Sequence, residues 1–156
     1  MGYETDYKLL CEQMEEMLDT EYWYVSAMSN AAALLWQFIP DINWAGFYVL
    51  RHGCLHIGPF QGKPACIHIS SGKGVCGTAL EKDEVQLVPD VHRFPGHITC
   101  DAVSSSEIVI PIHRKDSGTV KAVLDIDSPL KDRFSEEDRK GLESFCRILE
   151  DKLIWQ

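Results

Sequence analysis

The sequence predicts one α+β domain in which helices from both ends of the chain pack on one face of a central antiparallel sheet. Two hairpin patterns indicate the sheet, and helical patterns come before the first hairpin and after the second. Hairpins join antiparallel strands, whereas parallel strands need long crossovers. The chain has 156 residues, 45% hydrophobic and 25% charged, which fits a single domain spanning residues 1–156.

Two helices are predicted before the first strand. In residues 7–18 apolar side chains recur at helical spacing on one face, namely Leu9, Leu10, Met14, Met17 and Leu18. Residues 21–38 form too long and alanine-rich a segment for a strand, and Pro40 disfavours helical dihedrals in the residue before it. We expect the aromatic side chains of this second helix to lie in the core: Trp23, Trp36 and Phe38.

The first hairpin is predicted at residues 43–50 and 54–58, two segments rich in β-branched and aromatic residues that flank a turn. Pro59 and the segment 61–64 are expected to end the second strand. Three short elements follow in the prediction: a strand at 65–69, a helix at 75–81 and a strand at 85–88.

The second hairpin is predicted at residues 107–113 and 119–127, around a turn sequence at 115–118. Pro111 has no backbone N–H for the sheet, so we expect it at an edge or a bulge. Ser135 followed by three acidic residues is typical of a capped helix N-terminus. The last helix then directs one apolar face inward, formed by Leu142, Phe145, Cys146, Leu149 and Leu153.

The formal net charge is −9, and lysine and arginine form no cluster, which argues against a nucleic acid or an anionic membrane as a partner. No apolar run approaches the roughly 20 residues of a membrane span, and the N-terminus lacks the features of a signal peptide. We therefore expect a cytoplasmic protein that binds a small ligand. The sequence does not decide between a monomer and a homodimer.

The chain contains six cysteines, which in the cytoplasm are more often catalytic, metal-binding or buried than joined in structural disulfides. We assign three of them to packing, because each lies in or beside the apolar pattern of a predicted helix or strand: Cys11, Cys54 and Cys146. The other three, Cys66, Cys76 and Cys100, lie between residues 66 and 107. We interpret that stretch as a thiol active site.

The positions of Cys76 and Cys100 bear on the choice between chemistry and packing. Cys76 lies among glycines at a predicted helix start, where the helix dipole would stabilise a thiolate, although a small residue packed between glycines explains it equally well. Cys100 lies in a turn-rich loop at 88–101.

Asp125 and Asp127 are two residues apart, so on a strand both side chains leave the same face. They mark either a pocket mouth or a solvated strand end.

Five segments of the chain closely resemble the free methionine-(R)-sulfoxide reductases, which are small GAF-domain enzymes. The segments are QGKPAC at 61–66, GKGVCGTA at 72–79, DVHRFPGHITCD at 90–101, SEIVIP at 106–111 and VLDIDSP at 123–129. The resemblance extends over residues 44–134 and implies a GAF fold, reduction of free methionine (R)-S-oxide, and thioredoxin as final reductant. It implies no cofactor.

The resemblance also implies roles for individual residues. Cys100 matches the attacking cysteine, Cys66 the cysteine that resolves it, and Cys76 a third cysteine whose role is less settled. Three acids match those of the family's substrate pocket, and one tryptophan matches the residue that contacts the substrate's methyl end: Glu107, Asp125, Asp127 and Trp44.

Reduction of a sulfoxide requires a thiolate to attack sulfur while the oxygen takes up a proton. Carboxylates crowded in one cavity raise one another's pKa, so one of them can keep a proton near neutral pH. Asp127 is our first choice as proton donor and Glu107 our second. The sulfenic acid formed on Cys100 then condenses with a second thiol, and the residues alone do not choose between Cys66 and Cys76, although the resemblance favours Cys66.

Two other classes of function were weighed. A zinc site built from Cys66, Cys76 and Cys100 with nearby histidines is disfavoured because the region has no Cys-x-x-Cys or His-x-x-x-His pair. A GAF sensor without catalytic activity fits the predicted fold equally well. It offers no reason, however, for three cysteines and three acids in one cavity.

Overall fold

The computed structural model describes residues 4–97 and 102–156. Its helices are α1 (Tyr7–Met17), α2 (Tyr24–Phe38), α3 (Gly74–Lys82) and α4 (Glu136–Lys152), and Val91–Arg93 forms a short 3-10 helix. Its strands are β1 (Tyr22–Trp23), β2 (Trp44–Arg51), β3 (Cys54–Gly62), β4 (His68–Ser70), β5 (Gln86–Val88), β6 (Ser106–His113), β7 (Val120–Ser128) and β8 (Leu153–Ile154).

Six of these described strands form one sheet in the order β4-β3-β2-β7-β6-β5, and every neighbouring pair is antiparallel. The pairs β2-β3 and β6-β7 are the two predicted hairpins. The short strands β1 and β8 form a separate parallel pair that joins the two ends of the chain. The predicted α+β class with a central antiparallel sheet is therefore confirmed.

The larger apolar cluster lies on one face of the sheet. It joins buried residues of α1, α2 and α4 to inward side chains of the central strands, among them Phe47, Ile110 and Leu124. The five residues predicted for the inner face of the last helix are all buried: Leu142, Phe145, Cys146, Leu149 and Leu153. The predicted packing of N- and C-terminal helices on one face is confirmed, as is the packing role of Cys146.

The opposite face of the sheet carries a smaller apolar cluster under α3. Val75 and Ala79 of that helix pack there with strand residues that include Leu55, Val109 and Val123. A cluster of this size covers only part of the sheet face, and polar side chains occupy the end of the face that holds the candidate site.

Some side chains of the predicted apolar face of the first helix, and some that were expected in the core, are exposed. Leu9 is 42% and Met17 43% exposed, whereas Leu10 and Met14 of the same helix are fully buried. Trp23 and Trp36 are also exposed, at 52% and 41%. In α2 it is mainly alanine and leucine that face the sheet, because small side chains let the helix approach closely. Trp23 is not helical at all, since α2 begins at Tyr24.

The second strand of the first hairpin is longer than predicted. β3 continues through Pro59 to Gly62 and stays paired with β2, with a register irregularity between Gly46 and Tyr48. At a bulge the ladder is locally disrupted, so a proline there removes no regular hydrogen bond. The strand predicted at 65–69 is shorter and later, at His68–Ser70.

The second hairpin and the last helix begin where the sequence indicated. Pro111 of β6 lies beyond Val109, where the pairing with β5 ends, so the outer side of β6 is an edge at that point. Ser135 caps α4 in a capping box with Asp138. Among the residues described, no helix is both long and apolar enough to span a bilayer.

Candidate active site

Strand register brings the predicted aromatic and acidic residues together. Asp127 on β7 lies opposite Trp44 on β2 and opposite Glu107 on β6, so the three form a row across the sheet. Asp125 lies two residues before Asp127, and alternation along the strand directs both side chains to the same face. Val123 of that face packs in the smaller core cluster. The apolar row therefore ends in two acids at a cavity, which agrees with the pocket mouth, one of the two alternatives that the sequence left open.

This cavity lies between the sheet and α3. Five of its lining residues were predicted as site residues: Trp44, Cys76, Glu107, Asp125 and Asp127. Four other side chains with polar groups that line it were not predicted: Tyr48, Lys73, His97 and Ser104. Tyr48 could have been found, because Trp44 and Tyr48 are four residues apart on one strand and so share a face. Nothing local in the sequence distinguishes Lys73, His97 or Ser104.

Cys76 contacts an acid inside this cavity. Its Sγ donates a hydrogen bond to Asp125 Oδ2 over 3.3 Å, and the residue is only 3% exposed. Burial raises the pKa of the Cys76 thiol well above its usual value, and the negative charges of Asp125 and Glu107 raise it further. Of the two interpretations that the sequence left open for Cys76, the raised pKa favours a small packed residue over a stabilised thiolate, because desolvation and the neighbouring acids both oppose ionisation.

Glu107 is a buried acid of the cavity and is 7% exposed. Burial raises its pKa well above the usual 4.5, and Asp125 and Asp127 raise it further through their charges and through hydrogen bonds that favour the protonated form. The crowding of carboxylates that was expected from the sequence is present, and it raises the pKa of Glu107.

The cavity carries an excess of acceptors over cations. Within the described ranges, Asp125 Oδ1 is buried and has no hydrogen-bond partner. Lys73 is the one lysine or arginine of the described residues that lines the cavity, and its side chain is exposed at the mouth. A buried carboxylate oxygen without a donor costs free energy, so the site is suited to a cationic or donor-rich ligand.

Trp44 forms a flat aromatic wall of the cavity. Its ring stacks on Phe60 at 5.1 Å between centroids and on Tyr48 at 5.8 Å. Its indole N–H donates to the carbonyl oxygen of Lys63 over 3.0 Å. The orientation of the ring is thus fixed by two ring contacts and by one hydrogen bond at its polar edge. Such a wall suits an apolar group of a ligand.

Cys66 lies next to the cavity, and a buried side chain fixes its backbone by a hydrogen bond. The hydroxyl of Tyr48 donates a hydrogen bond to the carbonyl oxygen of Cys66 over 3.0 Å. Cys66 is disulfide-bonded, whereas four cysteines carry free thiols: Cys11, Cys54, Cys76 and Cys146. Cys100, the predicted attacking cysteine, lies outside the described residues.

One further property of the cavity concerns cations. The ligand atoms of Cys76, Glu107 and Asp125 all lie within 4.8 Å of one another. A thiol with two carboxylates can hold a divalent ion. This set differs from the cysteine and histidine set that was weighed from the sequence.

Comparisons with known proteins agree with this geometry. The GAF domain family matches residues 4–152. Protein YtsP of Bacillus subtilis is 50% identical over 96% of this chain and 92% of its own length. The free methionine-R-sulfoxide reductase of Escherichia coli is 46% identical over 94% of this chain and 88% of its own.

A solved structure is similar over almost the whole chain. The fRMsr of Staphylococcus aureus in complex with its substrate is 46% identical, covers 99% of each chain and superposes with a TM-score of 0.92. Identity at this level over this length shows common ancestry as well as a common fold. The chain belongs to the GAF domain family, within the group that includes the free methionine-R-sulfoxide reductases.

Proposed function

We propose that this protein reduces free methionine (R)-S-oxide to methionine. The observation that carries the proposal is the acidic cavity beside an aromatic wall, in which Glu107, Asp125 and Asp127 face Trp44 and Cys76. The Escherichia coli relative, which is 46% identical to this chain, is named for that activity. The similar solved structure from Staphylococcus aureus is a complex with its substrate. The cavity offers acids that can donate a proton and an aromatic side chain for the methyl end of the substrate, both of which support the proposal.

The first step is the attack of Cys100 on the sulfoxide sulfur. The oxygen passes from the substrate to the cysteine, which becomes a sulfenic acid, and methionine leaves. The departing oxygen needs a proton. Glu107 is the acid we propose for this, because its raised pKa keeps it protonated where an ordinary carboxyl is not. Asp127 was our first choice from the sequence, and its place opposite Glu107 supports a role in sharing that proton.

The second step is resolution of the sulfenic acid. The thiol of Cys66 condenses with it, forming a disulfide and releasing water. The disulfide-bonded state of Cys66 supports this role. Cys76 is a weaker candidate, because its thiol is buried and donates a hydrogen bond to Asp125, and because its pKa is raised. A dithiol such as thioredoxin then reduces the disulfide by exchange.

Recognition of the free amino acid follows from charge. The acids can accept the substrate's ammonium group, and Asp125 Oδ1 is a buried acceptor that lacks a donor among the described side chains and backbone groups. Trp44 would contact the methyl end. The substrate carboxylate would lie toward Lys73 and the first turn of α3, where no side-chain hydrogen bond from the N-cap residue Lys73 caps the helix.

A sensor role is the second candidate from the sequence. None of the described residues of the cavity favours it over catalysis, since a binding module has no use for a thiol beside an acid whose pKa is raised.

Replacement of the attacking cysteine tests the proposal. With dithiothreitol as reductant, wild-type protein should reduce free methionine (R)-S-oxide, and Cys100→Ser should not. Cys54→Ser is the matched control, because the Cys54 thiol donates to the carbonyl oxygen of Ile69, 3.2 Å away, and does not line the cavity. A Cys100→Ser protein with near-normal turnover would overturn the proposal.

A further inference from the structure

Three potential metal ligands converge in the substrate cavity from three different elements. Cys76 comes from α3, Glu107 from β6 and Asp125 from β7, and all three residues are buried. Their ligand atoms lie within 4.8 Å of one another, and the Cys76 Sγ to Asp125 Oδ2 distance is 3.3 Å.

These distances fit a tetrahedral ion. Zinc binds thiolate sulfur at about 2.3 Å and carboxylate oxygen at about 2.0–2.2 Å, which places the ligand atoms roughly 3.3–3.7 Å apart. The Cys76 and Asp125 atoms are already at that spacing. The remaining pairs need to approach by no more than about 1.5 Å, which carboxylate rotation can supply.

A second observation points to a cation. Asp125 is 6% exposed and lines the cavity. When Glu107 is ionised, as metal binding requires, Asp125 Oδ1 has no hydrogen-bond donor within residues 4–97 and 102–156. Its other oxygen accepts from Cys76. A buried carboxylate with one oxygen unsatisfied is stabilised by a positive ion at that position.

We propose that Cys76, Glu107 and Asp125 form a site for a thiophilic divalent cation such as Zn²⁺, and that the ion occupies the position of the substrate's ammonium group. On binding, the Cys76 thiol gives its proton to solvent and its sulfur bonds the metal. A protonated Glu107 loses its proton in the same way. Two carboxylates and one thiolate supply the charge that a divalent ion needs. The expected competition between the ion and the substrate rests on the proposed function, whereas the binding of the ion does not.

Cobalt titration tests the site without any measurement of turnover. Co²⁺ is added to Cys66→Ser/Cys100→Ser protein under a non-thiol reductant, so that the other two cysteines of the region cannot contribute. We expect a near-ultraviolet band from thiolate-to-cobalt charge transfer, displaced by stoichiometric Zn²⁺. Further replacement of Cys76 by Ser should abolish the band. Cys54→Ser in the same background is the matched control and should keep it.

Asp125→Asn in that background should keep the thiolate band and weaken cobalt binding at least tenfold, which separates loss of a ligand from loss of folding. A band that is absent from the double variant, or that survives Cys76→Ser, would overturn the proposed site. Neither result bears on the reductase activity.

Competition is tested with the same protein. Free methionine (R)-S-oxide should raise the apparent Kd for Co²⁺ in proportion to its concentration, and N-acetyl methionine should not. Cobalt binding that is indifferent to the free sulfoxide would contradict shared occupancy and leave the metal site standing. If the sulfoxide binds but wild-type protein does not reduce it, the proposed function is wrong and the proposed metal site is unaffected.

Discussion

Glu107 and Asp127 lie directly opposite each other on the neighbouring strands β6 and β7. Two carboxylates at paired positions repel each other when both are ionised, and such a pair destabilises an ordinary sheet. Here the pair lies at a buried cavity, and the pKa of Glu107 is raised. The protein thus retains a local cost in stability at the place where the proposed reaction needs a proton.

Glu107→Gln should lower activity and raise stability at alkaline pH. Because the pKa of Glu107 is raised in the folded protein, folding favours the protonated form, and wild-type stability falls as pH rises above about 4.5 toward the raised value. Glutamine cannot ionise. We expect kcat to fall by about 10²-fold or more, and the free energy of unfolding at pH 8 to rise by about 1 kcal/mol, roughly 2–4 °C in Tm.

The control for this substitution is Glu84→Gln, since Glu84 is exposed on the surface. Tm is measured by thermal unfolding at pH 5 and pH 8 for wild type, Glu107→Gln and Glu84→Gln, and turnover is measured on the same preparations. A stability difference between Glu107→Gln and wild type that does not grow from pH 5 to pH 8 would show that Glu107 ionises normally.

Cys66→Ser should separate the first step of the reaction from the second. A protein that lacks only the resolving thiol can still attack the sulfoxide, so it should release about one methionine per site in a single turnover. It should then fail to turn over with thioredoxin. Rapid quench measurement of methionine, with dimedone labelling of the sulfenic acid, checks both parts. Full thioredoxin-dependent turnover in this variant would transfer the resolving role to Cys76.

Gly141→Ala should destabilise the protein, although alanine is the better helix former by about 1 kcal/mol. A Cβ at Gly141 of α4 would collide with the ring of Tyr7, and the Tyr7 hydroxyl donates to Asp138 Oδ1 over 2.6 Å. We expect a loss of about 1–3 kcal/mol from overpacking. In a Tyr7→Ala background the same change should stabilise, and urea unfolding of all four proteins measures this cycle.

Much of the fold could be predicted because its signals are local. The Ser135 cap and the inner face of α4 agree with the sequence, since capping and helical spacing depend on neighbouring residues only. Trp36 was misplaced because hydrophobicity does not say which face of an apolar helix meets the sheet. The extension of β3 past Pro59 was missed because a bulge depends on the partner strand.

The site was predictable in part for the same reason. Asp125 and Asp127 share a face through a strict two-residue alternation, and the resemblance to a known family supplied Trp44 and Glu107. The sequence could not predict that the pKa of Glu107 is raised. Burial and strand pairing decide that, and both depend on contacts among three strands and α3. The same contacts raise the pKa of the Cys76 thiol, which the sequence left open between a reactive and a packed cysteine.

The central claim is reduction of one free sulfoxide, and catalytic efficiencies for a panel of sulfoxides test it most directly. With a dithiol reductant at one pH, kcat/KM is compared for free methionine (R)-S-oxide, the free S epimer and N-acetyl methionine (R)-S-oxide. We expect turnover of the free R form, none of the S form, and at least tenfold lower efficiency for the acetylated form, because a lost charge-assisted hydrogen bond costs about 1.5–3 kcal/mol. Failure to reduce the free R form, or equal efficiency with the acetylated one, would contradict the account.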